Sequence, residues 1–392
     1  MALKVMVVFG TRPEAIKLAP VIYELKANKA IKTVVCNTGQ HRELLDDILR
    51  WFEIKPDYEL KVMDANQEMA AVYSKVLLGV SKVIAAEQPS TVVVQGDTLT
   101  AIAAAQAAYL QNLPVAHVEA GLRTYDLASP WPEEGNRRMI ASFASIHFAP
   151  TKRARDNLLK ESIPRESIFL TGNTVVDALR QVLETLQRDA DLQAQMANRY
   201  PFLSPDRRLV LVTAHRRENF GEGLNELRIS LLQLIERYGR TIQIVIPLHK
   251  NPVVEKHLRQ GLEDIENVYL IEPQDYVGFV FLMSKAALII TDSGGIQEEA
   301  PTFRVPVIVT RKETERTEGL DGYGIYCIPP QATHIYSTAA ELLDGRFTVA
   351  LDPPDVDNPY GDGFAAKRVA EVLTFTARVD PHSDMDVSPD LA

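Results

Sequence analysis

Short runs of apolar residues alternate along this chain with longer segments in which an apolar residue recurs every three or four positions. Lys4–Phe9, Thr91–Gln95 and Ala287–Thr291 are such short runs, and they predict strands buried on both faces. The longer segments are typical of amphipathic helices. Strands that alternate with helices predict an α/β fold made of doubly wound parallel sheets with right-handed crossovers.

The alternation occurs twice, which predicts two Rossmann-like domains facing a cleft. We expect the first domain over residues 1–171 and the second over 172–364, with a last amphipathic helix over 365–377. Tyr200–Asp206 contains two prolines and is typical of a surface linker. Residues 378–392 carry four aspartates and two prolines, a composition that predicts disorder.

Composition favours a globular cytoplasmic protein. The 392 residues are 46% hydrophobic and 24% charged, with a net charge of −10 that argues against a general nucleic-acid binder. Cys36 and Cys327 have no metal-like spacing, which favours buried thiols in a reducing compartment. The chain runs directly into a predicted strand, so we expect no signal peptide, and we expect no apolar run that approaches membrane-spanning length.

A tight turn follows the strand Ala287–Thr291. Asp292–Gly295 reads Asp-Ser-Gly-Gly, and Gln297–Glu299 is typical of the first turn of a helix. Two glycines let a ligand approach the backbone, and the N–H groups at a helix start attract a phosphate or diphosphate. An ordinary turn, with Ser293 as the cap and glutamates favoured by the helix dipole, fits this stretch equally well.

The first half carries a second candidate anion site and two acidic strand ends. The turn Gly10–Glu14 opens a helix with Arg12 and Lys17, although both side chains could simply be solvated. Asp97 and Glu119 each follow a predicted strand, and ligands of such sheets bind at the carboxyl ends of strands. Asp97 could instead cap a turn, whereas Glu119 does not suit a tight turn.

Glu133 starts a helix after a loop shaped by two prolines and a tryptophan, within Tyr125–Arg138. A glutamate in that position is more often a partner of the helix dipole than a catalytic group. Strand ends of the second half carry cations and N–H donors that suit a nucleotide diphosphate: His215, Arg216, His249, Ser293, Gly294, Gly295 and Arg316. Without a GxGxxG, Walker or metal-ligand motif, the pattern indicates sugar-nucleotide chemistry without a redox cofactor or metal.

A series of motifs along nearly the whole chain carries a family resemblance: Phe9–Lys17, Gly39–Glu43, Gly96–Thr98, Val118–Arg123, Pro132–Glu134, Gly172–Thr174, Thr213–Asn219, Thr291–Glu299, Thr314–Arg316 and Asn358–Gly363. In these stretches the chain resembles the non-hydrolysing UDP-N-acetylglucosamine (UDP-GlcNAc) 2-epimerases. Members interconvert UDP-GlcNAc and UDP-N-acetylmannosamine (UDP-ManNAc). The chain departs from the family pattern at Thr317, where a proline is usual, at 319–327 and at Tyr125.

The resemblance implies a glycosyltransferase-B-like fold with the final helix returning to the N-terminal domain, a homodimer, and no cofactor. It also implies anti elimination of UDP to 2-acetamidoglucal followed by re-addition, in a pathway that supplies ManNAc for cell-surface polysaccharide. The implied catalytic residues are Asp97, Glu119, Glu133 and His215. The implied UDP-binding residues are Arg12, Lys17, His215, Gln274, Phe279, Ser293, Gly294, Gly295, Glu299 and Arg316.

Three other functions stay open at this point: a hydrolysing 2-epimerase that releases ManNAc and UDP, a UDP-GlcNAc-dependent glycosyltransferase of the same fold, and a nucleotide-sugar sensor without activity. The intact set of Asp97, Glu119 and Glu133 disfavours the sensor.

Bacterial members of the family bind UDP-GlcNAc as an allosteric activator. The resemblance implies a pocket for this effector with the lining residues Gln40, His41, Arg42, Glu43 and His249. Asn66 stands where some members have an arginine, and Glu43 where they have a glutamine, which predicts weakened activation. A capped loop leading into the next helix is the alternative interpretation of 40–43.

Overall fold

The computed structural model describes residues 3–40, 43–64, 67–216, 219–249, 251–320, 322–346 and 358–376. The predicted tail and the residues His41, Arg42 and Asn66 lie outside these ranges. The chain folds into two compact units, which divide between Ala178 and Leu179 and again between Pro359 and Tyr360.

The described part of the first unit contains a seven-stranded parallel sheet in the order β3-β2-β1-β4-β5-β6-β7. Its strands are β1 (Leu3–Phe9), β2 (Ile31–Asn37), β3 (Tyr58–Glu59), β4 (Thr91–Gln95), β5 (Val115–Val118), β6 (Ile146–Ala149) and β7 (Ile168–Leu170). Its helices are α1 (Arg12–Ala27), α2 (Glu43–Trp51), α3 (Met69–Glu87), α4 (Leu99–Tyr109), α5 (Glu133–Phe143), α6 (Lys152–Lys160) and the start of α7 (Thr174–Arg188). Valines of β1 and β4 are buried on both faces, as their uninterrupted apolar sequence predicts.

The second unit repeats this architecture with a six-stranded parallel sheet in the order β10-β9-β8-β11-β12-β13, within the described residues. Its strands are β8 (Arg208–Thr213), β9 (Ile242–Pro247), β10 (Val268–Ile271), β11 (Ala286–Thr291), β12 (Val307–Thr310) and β13 (Ile325–Ile328). Its helices are α8 (Ala190–Arg199), α9 (Glu222–Tyr238), α10 (Pro252–Arg259), α11 (Tyr276–Lys285), α12 (Gly294–Glu299) and α13 (Ala332–Leu343).

The last helix, α14 (Ala365–Thr376), belongs to the first unit and packs on α1. The side-chain amide of Asn28 donates to Thr374 Oγ1 at 3.0 Å, and the Ala366 N–H donates to Asp177 Oδ1 at 2.8 Å. These contacts confirm the expected return of the C-terminal helix to the N-terminal domain.

The division between the units lies within α7, not before Gly172 where the sequence analysis placed it. The N–H of Asn173 donates to the carbonyl of Tyr360 at 2.6 Å, and Asp177 holds the start of α14. The first turn of α7 therefore belongs to the first unit.

The prediction of a surface linker at 200–206 is wrong. Tyr200 is buried, its hydroxyl donates to Gln274 Oε1 at 2.6 Å, and its ring stacks on Phe281 at 5.7 Å. Phe202 stacks on Tyr269 with ring centroids 4.4 Å apart. Tyr200 and Phe202 thus pack this segment against the second unit, whereas its two prolines had indicated a linker.

Helix α3 also departs from expectation, because by length and composition it could cross a membrane, with a mean hydropathy of 1.5. From the sequence we expected no apolar run of membrane-spanning length. Val76 and Val80 are fully buried in the core of the first unit, where α3 packs on α4. A helix that packs in a core meets the same length and composition criteria, so α3 alone does not indicate a membrane span.

The strand order of both sheets reverses beside the first strand of each unit. In the first sheet β1 lies between β2 and β4, and in the second β8 lies between β9 and β11. A crevice for a ligand forms at the carboxyl ends of the strands at such a reversal. The turns after β1 and β4, and those after β8 and β11, are therefore where a functional site is expected.

Candidate active site

The turn between β1 and α1 is organised by Glu14. Thr11 is the N-cap of α1, and Glu14 three positions later completes a capping box. Glu14 Oε2 accepts the N–H groups of Gly10 at 3.0 Å and Thr11 at 2.8 Å, and Oε1 accepts the Thr98 hydroxyl at 2.6 Å. Burial raises the pKa of Glu14, against the opposing effect of these hydrogen bonds. The backbone donors of the predicted anion site are thus bound by the chain's own carboxyl group.

Glu119, directly after β5, receives three donors on one oxygen. Its Oε2 accepts Gln95 Nε2 at 3.0 Å and Asn173 Nδ2 at 3.2 Å, and it forms a buried ion pair with Lys17. Its backbone has a φ of +65°, in the left-handed region that a non-glycine residue rarely adopts. Such a conformation costs about 1–3 kcal/mol and is concentrated at functional sites. The surrounding donors hold Glu119 in this position, and Lys17 therefore contacts Glu119, whereas the resemblance implied a contact with UDP.

Asp97, after β4, lies beside Glu119 in the sheet, because the N–H of Gly96 donates to the carbonyl of Val118 at 3.0 Å. Asp97 Oδ2 accepts Arg137 Nε at 2.7 Å, and its carbonyl accepts Asn136 Nδ2 at 2.8 Å. Two donors from α5 thus fix both the side chain and the backbone of Asp97.

A buried histidine of β5, His117, supports this turn from within the sheet, and His147 of β6 lies beside it. His117 Nε2 lies 2.7 Å from the carbonyl oxygen of Gly96, the residue before Asp97. Burial lowers the pKa of His117 to about 4 and that of its neighbour His147 to about 3. Both rings are therefore neutral near pH 7, and His117 donates its N–H to Gly96.

Two adjacent glutamates at the start of α5 have different surroundings. Glu134 is fully buried and accepts the N–H groups of Thr124 at 3.0 Å and Tyr125 at 3.1 Å, with Arg137 Nη1 at 3.2 Å. Glu133, the first residue of α5, is only half-buried. Glu134 binds the backbone of the loop at Thr124 and Tyr125, and Glu133 is the more accessible of the two carboxylates.

The first unit thus brings together Lys17 from helix α1 with Asp97 and Glu119 from the turns after β4 and β5. Arg12 is the first residue of α1 and is half-buried at the same strand end. Paired carboxylates with adjacent cations suit proton transfer at an uncharged carbon next to a charged leaving group.

In the second unit a buried carboxylate organises the turn after β8. Asp292 accepts the N–H groups of His215 and Arg216 at 3.0 Å each and the side-chain amide of Asn219 at 3.1 Å. His215 Nδ1 lies 3.0 Å from Asp292 Oδ1. His215, which the sequence predicts to bind ligand, therefore contacts a carboxylate that follows the neighbouring strand β11, where the strand order of this sheet reverses.

The turn after β11 leads into α12, a helix of six residues. Ser293 is its N-cap by position but makes no side-chain capping bond. Gly294 is closely approached by Arg316, because a Cβ built on Gly294 would lie 2.7 Å from Arg316 Nη1. The same construction at Gly295 meets no atom within 4 Å. The two glycines thus have different surroundings, one packed and one open.

Arg316 lies in a buried network of ion pairs. Its Nε donates to Glu298 Oε1 at 2.7 Å, and Nη1 contacts Glu315, which also accepts Arg311 Nη1 at 3.2 Å. The structure therefore places Arg316 between two carboxylates.

Three other predicted UDP-binding residues surround α11. Gln274 accepts the Tyr200 hydroxyl at 2.6 Å, and Glu299 accepts the Tyr276 hydroxyl at 2.9 Å. Phe279 is half-buried on α11. Gln274 and Glu299 are held by tyrosine hydroxyls, which fixes their orientation.

The residues of the implied effector pocket are described only in part. Gln40 Oε1 accepts the Thr100 hydroxyl at 3.1 Å, and Glu43 begins α2. The ring of His249 stacks on that of His215, with centroids 5.9 Å apart. Among the described residues, no three His, Cys, Asp or Glu side chains lie together in a way that could hold a metal ion.

Sequence reasoning missed several residues of these sites: Glu14, Gln95, Asn136, Arg137, Asn173 and Asp292. For Glu14 a signal existed, since Thr11-x-x-Glu14 before an apolar helix is the sequence signature of a capping box. Asp292 stood in the motif that was singled out, but nothing local showed that its partners lie more than seventy positions earlier.

Two units with these sheet orders, and with charged residues at both reversals, define a two-domain α/β protein of the glycosyltransferase-B type. A solved structure of MurG from Acinetobacter baumannii shares this fold, with a TM-score of 0.58 and coverage of 95% of this chain and 99% of that chain. At 11% identity this likeness concerns the fold alone.

The chain belongs to the UDP-N-acetylglucosamine 2-epimerase family, which matches residues 23–374. A curated UDP-N-acetylglucosamine 2-epimerase from Neisseria meningitidis is 45% identical over 372 residues, which are 95% of this chain and 99% of the relative. The crystal structure of UDP-GlcNAc 2-epimerase from that species, bound to UDP-GlcNAc, has a TM-score of 0.91 and covers 95% and 100% of the two chains at 45% identity. The Methanocaldococcus jannaschii enzyme with UDP-GlcNAc and UDP has a TM-score of 0.81 at 32% identity, covering 95% and 100%. These findings confirm the family resemblance.

Proposed function

We propose that this protein is a non-hydrolysing 2-epimerase that interconverts UDP-GlcNAc and UDP-ManNAc. The observation that carries the proposal is Glu119, a buried carboxylate held at a φ of +65° by Lys17, Gln95 and Asn173 beside Asp97. Membership of the family, and relatives solved with UDP-GlcNAc or UDP, support the choice of substrate.

The chemistry follows from the acidity of the sugar C2–H. No carbonyl group adjoins C2, so a carboxylate alone cannot remove this proton. If the C1–O bond to UDP breaks first or at the same time, positive charge develops at C1 and acidifies C2–H. Loss of the proton and of UDP gives 2-acetamidoglucal, and UDP then adds back at C1 while a proton is delivered to the opposite face of C2.

Two faces of the sugar require at least two acid/base groups, and we propose Asp97, Glu119 and Glu133 for them. Arg137 fixes the carboxylate of Asp97, and Lys17 neutralises Glu119 in its strained position. Glu133 is the more accessible of the two glutamates at the start of α5.

The departing UDP needs positive charge and hydrogen-bond donors at its diphosphate. We assign this part to Arg12, His215 and the open backbone at Gly295, and one preorganised donor of this kind lowers a barrier by about 3–4 kcal/mol. The remaining UDP contacts predicted from the resemblance stay predictions: Lys17, Gln274, Phe279, Ser293, Gly294, Glu299 and Arg316.

Incubation with UDP-GlcNAc in deuterated water tests the proposal. We expect UDP-ManNAc that carries deuterium at C2, detected by proton NMR and mass spectrometry. Recovery of unlabelled substrate without a manno product would refute epimerisation. Free ManNAc with UDP would indicate the hydrolysing reaction, and transfer to an added acceptor would indicate a glycosyltransferase.

A homodimer in the cytoplasm that supplies ManNAc for polysaccharide synthesis is part of the same proposal. Leu78 on α3 and Tyr109 and Leu110 at the end of α4 are exposed apolar side chains of the first unit, of the kind that a dimer interface buries. Size-exclusion chromatography with light scattering measures the oligomeric state, and a monomer at working concentration would contradict it.

We also propose that UDP-GlcNAc activates the enzyme weakly by binding as an effector, as the family resemblance implies. Turnover from pure UDP-ManNAc should start with a lag that a trace of UDP-GlcNAc removes. A linear rate from the first moment would exclude the effector site.

A further inference from the structure

Asp292 is a buried carboxylate of the second unit that accepts several hydrogen bonds and that no proposed step uses. It is not exposed, and its two oxygens accept the N–H groups of His215 and Arg216 and the side-chain amide of Asn219. Burial by itself raises the pKa of Asp292, but the hydrogen bonds from His215 and from the two backbone N–H groups outweigh it and hold this pKa below its usual range. Asp292 is therefore a carboxylate at neutral pH.

The same carboxylate contacts the imidazole of His215. Nδ1 lies 3.0 Å from Asp292 Oδ1, a hydrogen-bond distance, and a carboxylate can only accept. Nδ1 must then carry the proton. The side chain of His215 remains 40% exposed while that of Asp292 is 1% exposed, so the ring bridges a buried anchor and an accessible surface.

The flat side of the ring is also constrained. His249 stacks on His215 with the rings inclined by 23°, and burial, followed by the nearby His215, lowers the pKa of His249. The side-chain Nε of Arg216 donates to the Asp292 carbonyl at 3.0 Å. Asp292 and His249 are titratable groups that contact this ring, and the charged Arg216 lies against the backbone of Asp292.

We propose that Asp292 is a positioning residue for His215, which holds the imidazole in the Nδ1–H tautomer and so leaves Nε2 as the nitrogen that meets the ligand. A hydrogen bond at one ring nitrogen sets the role of the other, and a carboxylate commonly does this. In the neutral ring Nε2 carries no hydrogen and can accept a proton. Once the ring is protonated, the Nε2–H group can donate a hydrogen bond to an anionic oxygen. The ligand part of this inference rests on the proposed function, in which that anion is the diphosphate of UDP.

The wild-type protein tests the tautomer directly. We would label the full chain with nitrogen-15 histidine and record the imidazole nitrogen shifts at about pH 9, where an ordinary ring is neutral. His215→Asn identifies the signals among the eight histidines of the chain. We expect a protonated Nδ1 and a bare Nε2, and a protonated Nε2 with a bare Nδ1 would overturn the proposal, whatever any variant does.

A double-mutant cycle tests whether Asp292 acts through His215. We expect Asp292→Asn to weaken UDP binding, measured by calorimetry, by about tenfold in the wild-type background. In the His215→Ala background the same substitution should change the affinity by less than about twofold, because the group that it positions is gone. An equal loss in both backgrounds would show that Asp292 only maintains the turn.

Asp206→Asn is the matched control, because Asp206 is exposed in the same unit and should leave UDP affinity unchanged. Thermal unfolding of each variant shows whether it folds, and if Asp292→Asn does not fold, the wild-type tautomer decides alone. Turnover in deuterated water is measured on the same samples. If epimerisation fails while the tautomer and the coupling are as expected, the proposed function is refuted and Asp292 remains the partner of His215. If epimerisation occurs while the tautomer or the coupling is not as expected, only the positioning role is refuted.

Discussion

Replacing Arg137 with methionine should damage both the stability of the first unit and the alignment of Asp97. The guanidinium is 4% exposed, and it bridges Asp97, 22% exposed, to Glu134, which is fully buried. Methionine has a similar length and no charge. The substitution therefore removes the cation while filling much of the same space.

The size of the effect depends mainly on Glu134. Without Arg137 this carboxylate keeps the N–H donors of Thr124 and Tyr125 but loses its described cation. Removal of one partner from a buried ion pair costs about 3–5 kcal/mol, whereas an exposed pair contributes about 0–1 kcal/mol. Because Asp97 can be partly solvated, we expect a loss near 3 kcal/mol. For units of this size that loss lowers Tm by about 6–12 °C.

Thermal unfolding and turnover of Arg137→Met should be compared with Arg138→Met, since Arg138 is the exposed neighbour on the same helix. We expect Arg137→Met to lose stability as calculated and to lower kcat at least about tenfold, because Asp97 is no longer oriented. Adding Glu134→Gln should restore part of the Tm and none of the turnover. If both arginine variants unfold within about 2 °C of each other, the buried ion pair does not stabilise this unit as we argue.

Three further outcomes follow from buried titratable groups. Burial raises the pKa of Asp177 to about 6, so between about pH 4 and 6 the folded chain holds a proton that the unfolded chain has lost. The free energy of unfolding, measured by urea denaturation, should therefore fall as pH rises through this range. Asp177→Asn should make it less dependent on pH there. Burial lowers the pKa of His117 to about 4, so stability should drop as pH falls below about 6.5, and His117→Asn should reduce this drop in the same measurement. Burial raises the pKa of Cys36 to about 12, so a thiol reagent at about pH 8 should modify at most Cys327 in the native protein and both cysteines after unfolding.

The sequence allowed the fold and part of the first site to be predicted, for reasons visible in particular residues. No polar residue interrupts the central apolar positions of β1, β4 and β11, which are Val5–Phe9, Val92–Val94 and Leu288–Ile290. Such runs favour a doubly wound sheet that is covered on both faces. Glu119 was singled out because a glutamate does not suit a tight turn, yet the structure places it in a turn, at a positive φ that is unusual for a non-glycine residue. Local sequence was enough where the constraint itself was local.

Partners far apart in the chain could not be predicted. Lys17 was expected near phosphate, yet its partner Glu119 lies 102 positions later, and only the pairing of the strands brings the two together. Nothing in the sequence distinguished Arg137, which is buried, from its neighbour Arg138, which is exposed. Which of the two arginines is buried depends on how α5 packs against the turn after β4, and this tertiary packing cannot be predicted from the local sequence.

The two glycines of the turn after β11 separate a packing role from a ligand role. Alanine at Gly294 would place a methyl group 2.7 Å from the guanidinium of Arg316, which Glu298 and Glu315 hold in place, so we expect a loss of about 1–3 kcal/mol of stability. Alanine at Gly295 meets no atom within 4 Å and should raise stability by up to about 1 kcal/mol, since alanine favours the helix. If the diphosphate approaches the backbone at Gly295, that more stable variant should nevertheless bind UDP less tightly in calorimetry. Unchanged affinity in Gly295→Ala would refute a close approach of the diphosphate to the backbone at Gly295, because a methyl group placed against the ligand should weaken binding.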